Sequence, residues 1–247
     1  MPSDILFLSS HFFRSLEEHG PESVLHWTSS KRKNVDIFTK RLIFIVINKD
    51  IHWSLVVLVN PGRIFSDQNE TNSFMFHFDS LSAHNSTHIS NTLYQWLNSE
   101  ANRRNEGELD VFNDLNMPVC IPDAPRQENS WDCGAFVCYY FFSMMSLSNS
   151  YFSAKKRAFT NKRKASKLMG EWITKQDPFQ FGMKDIFQLR KQLAILVSDL
   201  SDASPKEEQL EELASLSVKE LKGKCKEYGL KPGNRRKEAL IQMLNEI

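Results

Sequence analysis

Cysteine is scarce in this chain. The four residues are Cys120, Cys133, Cys138 and Cys225, and none form a Cys-x-x-Cys pair. That excludes a disulfide framework and points to a reducing compartment. Long apolar runs are missing too. No stretch approaches the ~18–20 residues that cross a bilayer, so no membrane helix is expected. Ile5 to Leu8 is too short for a secretory signal, and no basic residue precedes it. Glycine and proline number nine each, which excludes collagen-like and low-complexity classes. Net charge is nearly absent, at +1. What remains is an ordinary globular mixture, 41% hydrophobic and 25% charged over 247 residues, enough for one or two domains.

The small net charge hides an asymmetry. Every charged residue from Lys155 to Lys167 is basic, whereas Asp199 to Glu212 carries six acidic residues against Lys206 alone. The polar, acidic stretch with Ser201, Ser204 and Pro205 reads as a linker. It separates a domain over 1–200 from a module over 213–247, with 201–212 between them. The clusters Lys155-Lys156-Arg157 and Lys162-Arg163-Lys164 have the form of a nuclear localisation signal. A solvated face is the competing reading.

Apolar patterning places the elements. Leu42 to Ile47 and Leu55 to Val59 read as buried strands around a turn at Asn48-Lys49-Asp50. Phe74 to Phe78 is a third strand and Val119 to Ile121 a fourth. Ile89, Leu93, Trp96 and Leu97 recur at helical spacing, predicting a helix over 88–99. Cys133 to Met145 is apolar nearly all round, a buried helix. Ile186 to Leu200 predicts another helix ending at the linker. Strands and helices do not alternate strictly, so the fold class is α+β.

Four polar residues sit at the edges of these elements: His52 opening a strand, Asp79 closing one, Gln127 in a Pro-containing loop, and Cys133 opening the buried helix. A helix N-terminus and a neighbouring imidazolium both lower a thiol pKa. A carboxylate orients an imidazole, and a side-chain amide suits an oxyanion hole. Gly134 permits close approach of a substrate backbone. Taken singly, each has a plainer reading. A cysteine there is more often a small buried hydrophobe, and an aspartate after a strand is usually a turn former. His84 and His88 share helical spacing, but no Cys, Asp or Glu supports a metal site there.

Their joint arrangement carries a resemblance. Ile51-His52-Trp53-Ser54-Leu55-Val56-Val57, Phe76-His77-Phe78-Asp79-Ser80-Leu81 and Pro125-Arg126-Gln127-Glu128-Asn129-Ser130-Trp131-Asp132-Cys133-Gly134 resemble the Ulp/SENP family of ubiquitin-like-protein proteases, in its Ulp2-like branch. The resemblance implies a papain-like fold with a mixed sheet flanked by helices. It implies His52 as general base, Asp79 as its partner, Cys133 as nucleophile and Gln127 as oxyanion-hole amide. Trp53 and Gly134 would contact the Gly-Gly tail of the substrate. No cofactor and no metal are implied. The family domain commonly carries an upstream Trp-Leu-Asn-Asp segment. Here only Trp96-Leu97-Asn98 echoes it, at another place, so an N-terminal segment is expected to be missing and activity to be weak.

The tail is similar to a SAP domain, a small helical module of chromatin-associated proteins. Leu216-Ser217-Val218-Lys219-Glu220-Leu221-Lys222, Tyr228-Gly229-Leu230 and the basic run after Gly233 carry that likeness. It implies DNA contact by Lys231, Arg235, Arg236 and Lys237. The leading expectation is thus a nuclear cysteine protease cutting after the Gly-Gly of a ubiquitin-like modifier, with SUMO first and NEDD8 as alternative. A catalytically impaired, DNA-tethered binding protein is the competing class. An acyltransferase would need an acyl-coenzyme A site, which nothing here resembles. A chymotrypsin-like fold would need strands after Cys133.

Overall fold

The computed structural model describes residues 4–30, 33–65, 73–104, 110–147, 167, 170–171, 173–202, 213–227 and 231–245. The basic run over 155–166, most of the acidic linker and Tyr228-Gly229-Leu230 lie outside the described residues. In chain order the elements are β1 (Ile5–Leu8), α1 (Phe12–His19), α2 (Leu25–Thr28), β2 (Ser29–Ser30), β3 (Lys33–Asn34), β4 (Leu42–Lys49), β5 (His52–Val59) and β6 (Phe74–Phe78). There follow α3 (Ser86–Arg104), β7 (Val119–Cys120), α4 (Cys133–Ser146), α5 (Met183–Asp202), α6 (Val218–Glu227) and α7 (Lys237–Asn245).

Five strands form one mixed sheet in the order β1-β4-β5-β6-β7. The outer pairs are parallel and the two inner pairs antiparallel. Side chains alternate across a strand, and here both faces are covered. Leu42, Phe44, Leu55, Val57, Phe74, Phe76 and Phe78 pack with α4 residues Phe136 and Tyr140. Ile43, Ile45, Ile47, Val56, Leu58 and Met75 pack with α1 and α3 residues on the other face. Burial on both sides explains why these strands read as continuous apolar runs. The result is a helix–sheet–helix α+β fold, as expected.

Contacts divide the chain into residues 1–188 and 189–247, and α5 spans that division. The second unit has a minimal core of Leu213, Leu221, Cys225, Leu240 and Leu244, with Leu216 and Ile241 against it.

Five elements escaped the sequence reading: β1, α1, α2, β2 and β3, four of them no longer than four residues. β1 is four residues long, too short for a period to register. In α1, His11 precedes the helix without a side-chain cap and the first turn carries no acidic residue, so the usual start signals are lacking. Boundaries moved as well: the helix expected over 186–200 runs from Met183 to Asp202, and the strand expected to end at Ile47 runs to Lys49. The predicted helix 88–99 runs from Ser86 to Arg104, and the Asn85 carboxamide oxygen accepts from the His88 N–H at 3.0 Å ahead of it. The turn expected at Asn48-Lys49-Asp50 lies one step later. Lys49 pairs with His52, and Asp50 and Ile51 form a two-residue turn with φ of 51° and 59°. Such turns match the twist of a hairpin, but they favour Asn and Gly. A β-branched residue at positive φ hid the turn.

Candidate active site

The hairpin register puts His52 at the first residue of β5, where it is buried at 5% exposure. Its Nε2 lies 2.7 Å from Asp79 Oδ1. A carboxylate only accepts, so Nε2 carries the proton and Nδ1 holds the lone pair. That Nδ1 is buried without a hydrogen-bond partner. An unpartnered buried nitrogen is costly and marks the basic atom of this pair.

Asp79 follows the last residue of β6. Its Oδ1 also accepts from the Leu81 N–H at 3.0 Å, and Oδ2 accepts from the His84 N–H at 2.8 Å. Burial works to raise the carboxyl pKa, but the bonds from the His84 N–H, the His52 ring and the Leu81 N–H outweigh it. They hold Asp79 below the usual carboxylate range. It is an anion set to orient and stabilise an imidazolium.

Cys133 is the first residue of α4 and is 6% exposed. Helix α4 packs against β5, the strand that begins with His52. Amides in the first helical turn lack intrahelical acceptors and favour an anion. A Cβ added to Gly134, the next residue, would meet nothing within 4 Å outside its chain neighbours and its own helix backbone, so open space lies over Gly134. The preceding loop is tightly bonded. Asn129 Oδ1 accepts from the Trp131 and Asp132 N–H groups, and Asn129 Nδ2 donates to Asp132 Oδ2 at 2.7 Å.

Gln127 is 7% exposed. Its Oε1 accepts from the Ser80 hydroxyl at 2.5 Å, and its Nε2 donates to the Asn129 carbonyl at 2.6 Å. One N–H of the amide is left over. Ser80 directly follows Asp79, so the Gln127 loop is tied to the residue beside the carboxylate. Nearby in the same loop, the Pro125 carbonyl accepts from the Tyr140 hydroxyl at 2.5 Å, and Phe78 stacks on Tyr140. The loop, the strand end and α4 therefore hold one another. Trp53 is half-buried and packs on the α4 side of the sheet.

Sequence reasoning missed Ser80, Asn129 and His84. Asn129 had a legible signal, an Asx turn in Asn129-Ser130-Trp131. His84 had none, because its ring partners come from β4 and β5. Its Nδ1 meets Ser54 Oγ at 2.7 Å and its Nε2 the Lys49 carbonyl at 3.1 Å. His88 instead bonds Glu17 at 2.6 Å. The two histidines therefore do not form one ligand pair, and His84 lies ahead of α3. Among the described residues His52, Asp79 and His84 offer ligand atoms within 4.8 Å of one another. His52 Nε2, both Asp79 oxygens and both His84 ring nitrogens already serve the hydrogen bonds above, which leaves His52 Nδ1 as the one unengaged donor atom of the set.

In the second unit Lys231, Arg235 and Arg236 are exposed and Lys237 opens α7. Arg235 Nη1 donates to the Lys231 and Pro232 carbonyls at 2.5 and 3.2 Å. That guanidinium is partly spent on its own loop.

With this geometry in hand, comparison with known proteins gives the family. Residues 4–177 match the Ulp1 protease family, C-terminal catalytic domain. The chain belongs to that family. It is 35% identical over 123 residues to "Probable ubiquitin-like-specific protease 2A" of Arabidopsis thaliana, covering 48% of this chain and 15% of the relative. It is 27% identical over 193 residues to "Sentrin-specific protease 5" of Mus musculus, covering 78% of this chain and 20% of the relative. The chain thus spans a small part of the length of these relatives. Its fold is similar to a structure described as "Crystal structure of the de-sumoylating protease", with a TM-score of 0.58 and 19% identity, covering 84% of this chain and 76% of that one. A second solved structure, "SUMO protease Ulp1 with the catalytic cysteine oxidized to a sulfenic acid", has a TM-score of 0.50 and 22% identity, covering 81% and 70%. Among the described residues no helix is long and apolar enough to cross a membrane.

Proposed function

We propose that this chain is a cysteine protease that hydrolyses the bond after the C-terminal Gly-Gly of a ubiquitin-like modifier, with SUMO as the modifier. The observation that carries the reading is the 2.7 Å bond between His52 Nε2 and Asp79 Oδ1, which leaves Nδ1 as a buried nitrogen with no partner. The relatives named for SUMO and ubiquitin-like substrates support the choice of modifier. The Gln127-Glu128-Asn129-Ser130-Trp131-Asp132-Cys133-Gly134 run supports the Ulp2-like branch.

In this mechanism His52 Nδ1 takes the Cys133 proton, and the imidazolium is stabilised by Asp79. The thiolate attacks the carbonyl carbon of the terminal glycine. The remaining Gln127 Nε2–H and the Cys133 backbone N–H stabilise the oxyanion, a contribution worth ~10²–10³ in rate per donor. Collapse breaks the bond to the lysine amine, which leaves with the proton from His52. The glycyl thioester is then hydrolysed by a water that His52 deprotonates. Gly134, with open space above it, admits the tail, and Trp53 lines its path. Vinyl-sulfone probes built on SUMO, NEDD8 and ubiquitin test the reading. The SUMO probe should label Cys133 fastest, and absence of labelling by every probe would refute it.

We also propose that residues 213–247 form a SAP-like module that holds the enzyme on DNA in the nucleus. Support comes from the compact two-helix core and the exposed basic residues at the start of α7. Lys231, Arg236 and Lys237 contact phosphates, while Arg235 chiefly shapes the loop. Each phosphate contact adds ~0.9 to the log–log salt slope of duplex binding. Arg236→Glu should flatten the slope more than Arg235→Glu. Superposed salt titrations of wild type and both variants would refute DNA contact.

A further inference from the structure

Behind the His52–Asp79 pair lies a second set of buried polar groups that the proposed mechanism does not use. Ser54 and His77 are fully buried, at 0% and 1% exposure, on the α3 side of the sheet. Ser54 Oγ lies 2.7 Å from His84 Nδ1 and 3.0 Å from His77 Nε2. His77 Nδ1 lies 2.7 Å from Ser86 Oγ, and His84 Nε2 lies 3.1 Å from the Lys49 carbonyl.

The proton on each link follows from one fixed end. The Lys49 carbonyl only accepts, so His84 Nε2 carries a proton. With that proton on Nε2 as the ring's single one, Nδ1 accepts from the Ser54 hydroxyl. With its one proton spent, Ser54 Oγ accepts from His77 Nε2–H. His77 Nδ1 in turn accepts from the Ser86 hydroxyl. This assignment takes both rings as singly protonated, and for His77 burial favours that state by pushing its pKa down to about 4. All four side chains are satisfied in one direction, from Ser86 to the Lys49 carbonyl. A fully satisfied buried network rigidifies its surroundings.

His84 is where this chain meets the Asp79–His52 pair. Its backbone N–H donates to Asp79 Oδ2 at 2.8 Å. Its ring centroid is 4.8 Å from that of His52, with the planes tilted by 58°. A ring pinned at both nitrogens therefore fixes both the amide that holds Asp79 and the wall beside His52. The charged and titratable groups around it are Lys49 and Asp50 on the hairpin and His52 on β5. They continue with His77 and Asp79 at β6, His88 on α3, and Glu17 of α1 bridging Lys49 and His88.

We propose that His84 is a positioning residue for the Asp79–His52 pair, with its ring clamped between Ser54 Oγ and the Lys49 carbonyl. The inference rests on the protease reading above. It predicts that His84→Ala lowers kcat by ~10- to 100-fold, as loss of an orienting partner does, with KM within about twofold. The pH profile of Cys133 alkylation by iodoacetamide should move to higher pH, because a loosened Asp79 stabilises the imidazolium less. His84→Asn, whose carbonyl can replace Nδ1 as acceptor for Ser54, should recover most of the rate. In an Asp79→Ala background, His84→Ala should add little, since both act through His52. An unchanged alkylation profile in His84→Ala would overturn the proposal, even with a lowered melting temperature. So would losses that multiply fully in the double variant. Alkylation needs no modifier, so a chain that cleaves none of the probes yet shows the shifted profile would refute the substrate and leave the role of His84 standing.

Discussion

The two units of this chain place their candidate functional residues in opposite ways. In residues 1–188, His52, Asp79, Gln127 and Cys133 sit at strand and helix ends around a two-faced sheet. His52 and Gln127 are buried, and His52, Asp79 and Gln127 have bonded side chains. In residues 189–247, Lys231, Arg235 and Arg236 stand exposed in the loop between two helices that share five buried core residues. A buried polar group must be paired or it destabilises the fold, so burial fixes its geometry. An exposed cation is hydrated and keeps its rotamers. The first unit is therefore suited to chemistry that needs an atom held in place, and the proposed attraction to DNA would need no such fixing in the second.

The largest effect that can sharpen this contrast is at the thiol. Cys133→Ser should lower modifier cleavage by at least ~10³-fold while leaving the melting temperature of unit 1–188 unchanged. Retained turnover would break the assignment. Next comes Gln127→Ala, expected to cost ~10²–10³ in kcat with KM little changed. A rise in KM alone would make Gln127 a substrate-binding residue.

In the second unit the core itself is the weak point. Leu240 is fully buried among five core residues, and truncating such a leucine costs about 2–5 kcal/mol. A core this small has little more to lose. Leu240→Ala should abolish amide-exchange protection in α6 and α7 while β4 to β6 keep theirs. Loss of protection in the sheet as well would erase the contrast.

Acid should act on the first unit through His77. Unfolded, its imidazole titrates near 6.5, and folded it takes a proton only near 4. Between those values the unfolded chain binds more protons, so stability rises with pH. The contribution is complete above pH 6.5 and drains away as pH falls toward 4, by about 3 kcal/mol in all. Urea unfolding across that window should show the loss, and His77→Gln should flatten it. The smallest effect is at the hairpin. Ile51 is 98% exposed at φ 59°, a conformation that costs an L-residue about 1–2 kcal/mol. Ile51→Gly should raise unfolding stability by about 1 kcal/mol in the same assay. A loss of stability there would mean that the side chain makes a contact the hairpin needs.

Much of the fold was legible because its strands are buried on both faces. Leu42 to Ile47, Leu55 to Val59 and Phe74 to Phe78 read directly as apolar runs, and α4 as an apolar helix. The family was legible because His52-Trp53, Asp79-Ser80 and Gln127 with Asp132-Cys133-Gly134 are local strings in a set order. Elements with little length or weak end signals, β1, α1, α2, β2 and β3, were not.

The sequence by itself determined the apolar periods, the order of the chemistry-bearing residues and the uneven charge, because each is a property of neighbours along the chain. Tertiary structure alone decided which nitrogen of His52 is free, that Ser80 and Asn129 occupy the two ends of the Gln127 amide, and that Ser54 and His77 stand behind Asp79. Those facts depend on β4–β5–β6 register. A shift of one residue would turn His52, Ser54 and His77 to the other face, and no local pattern records which face a polar residue takes in a strand buried on both sides.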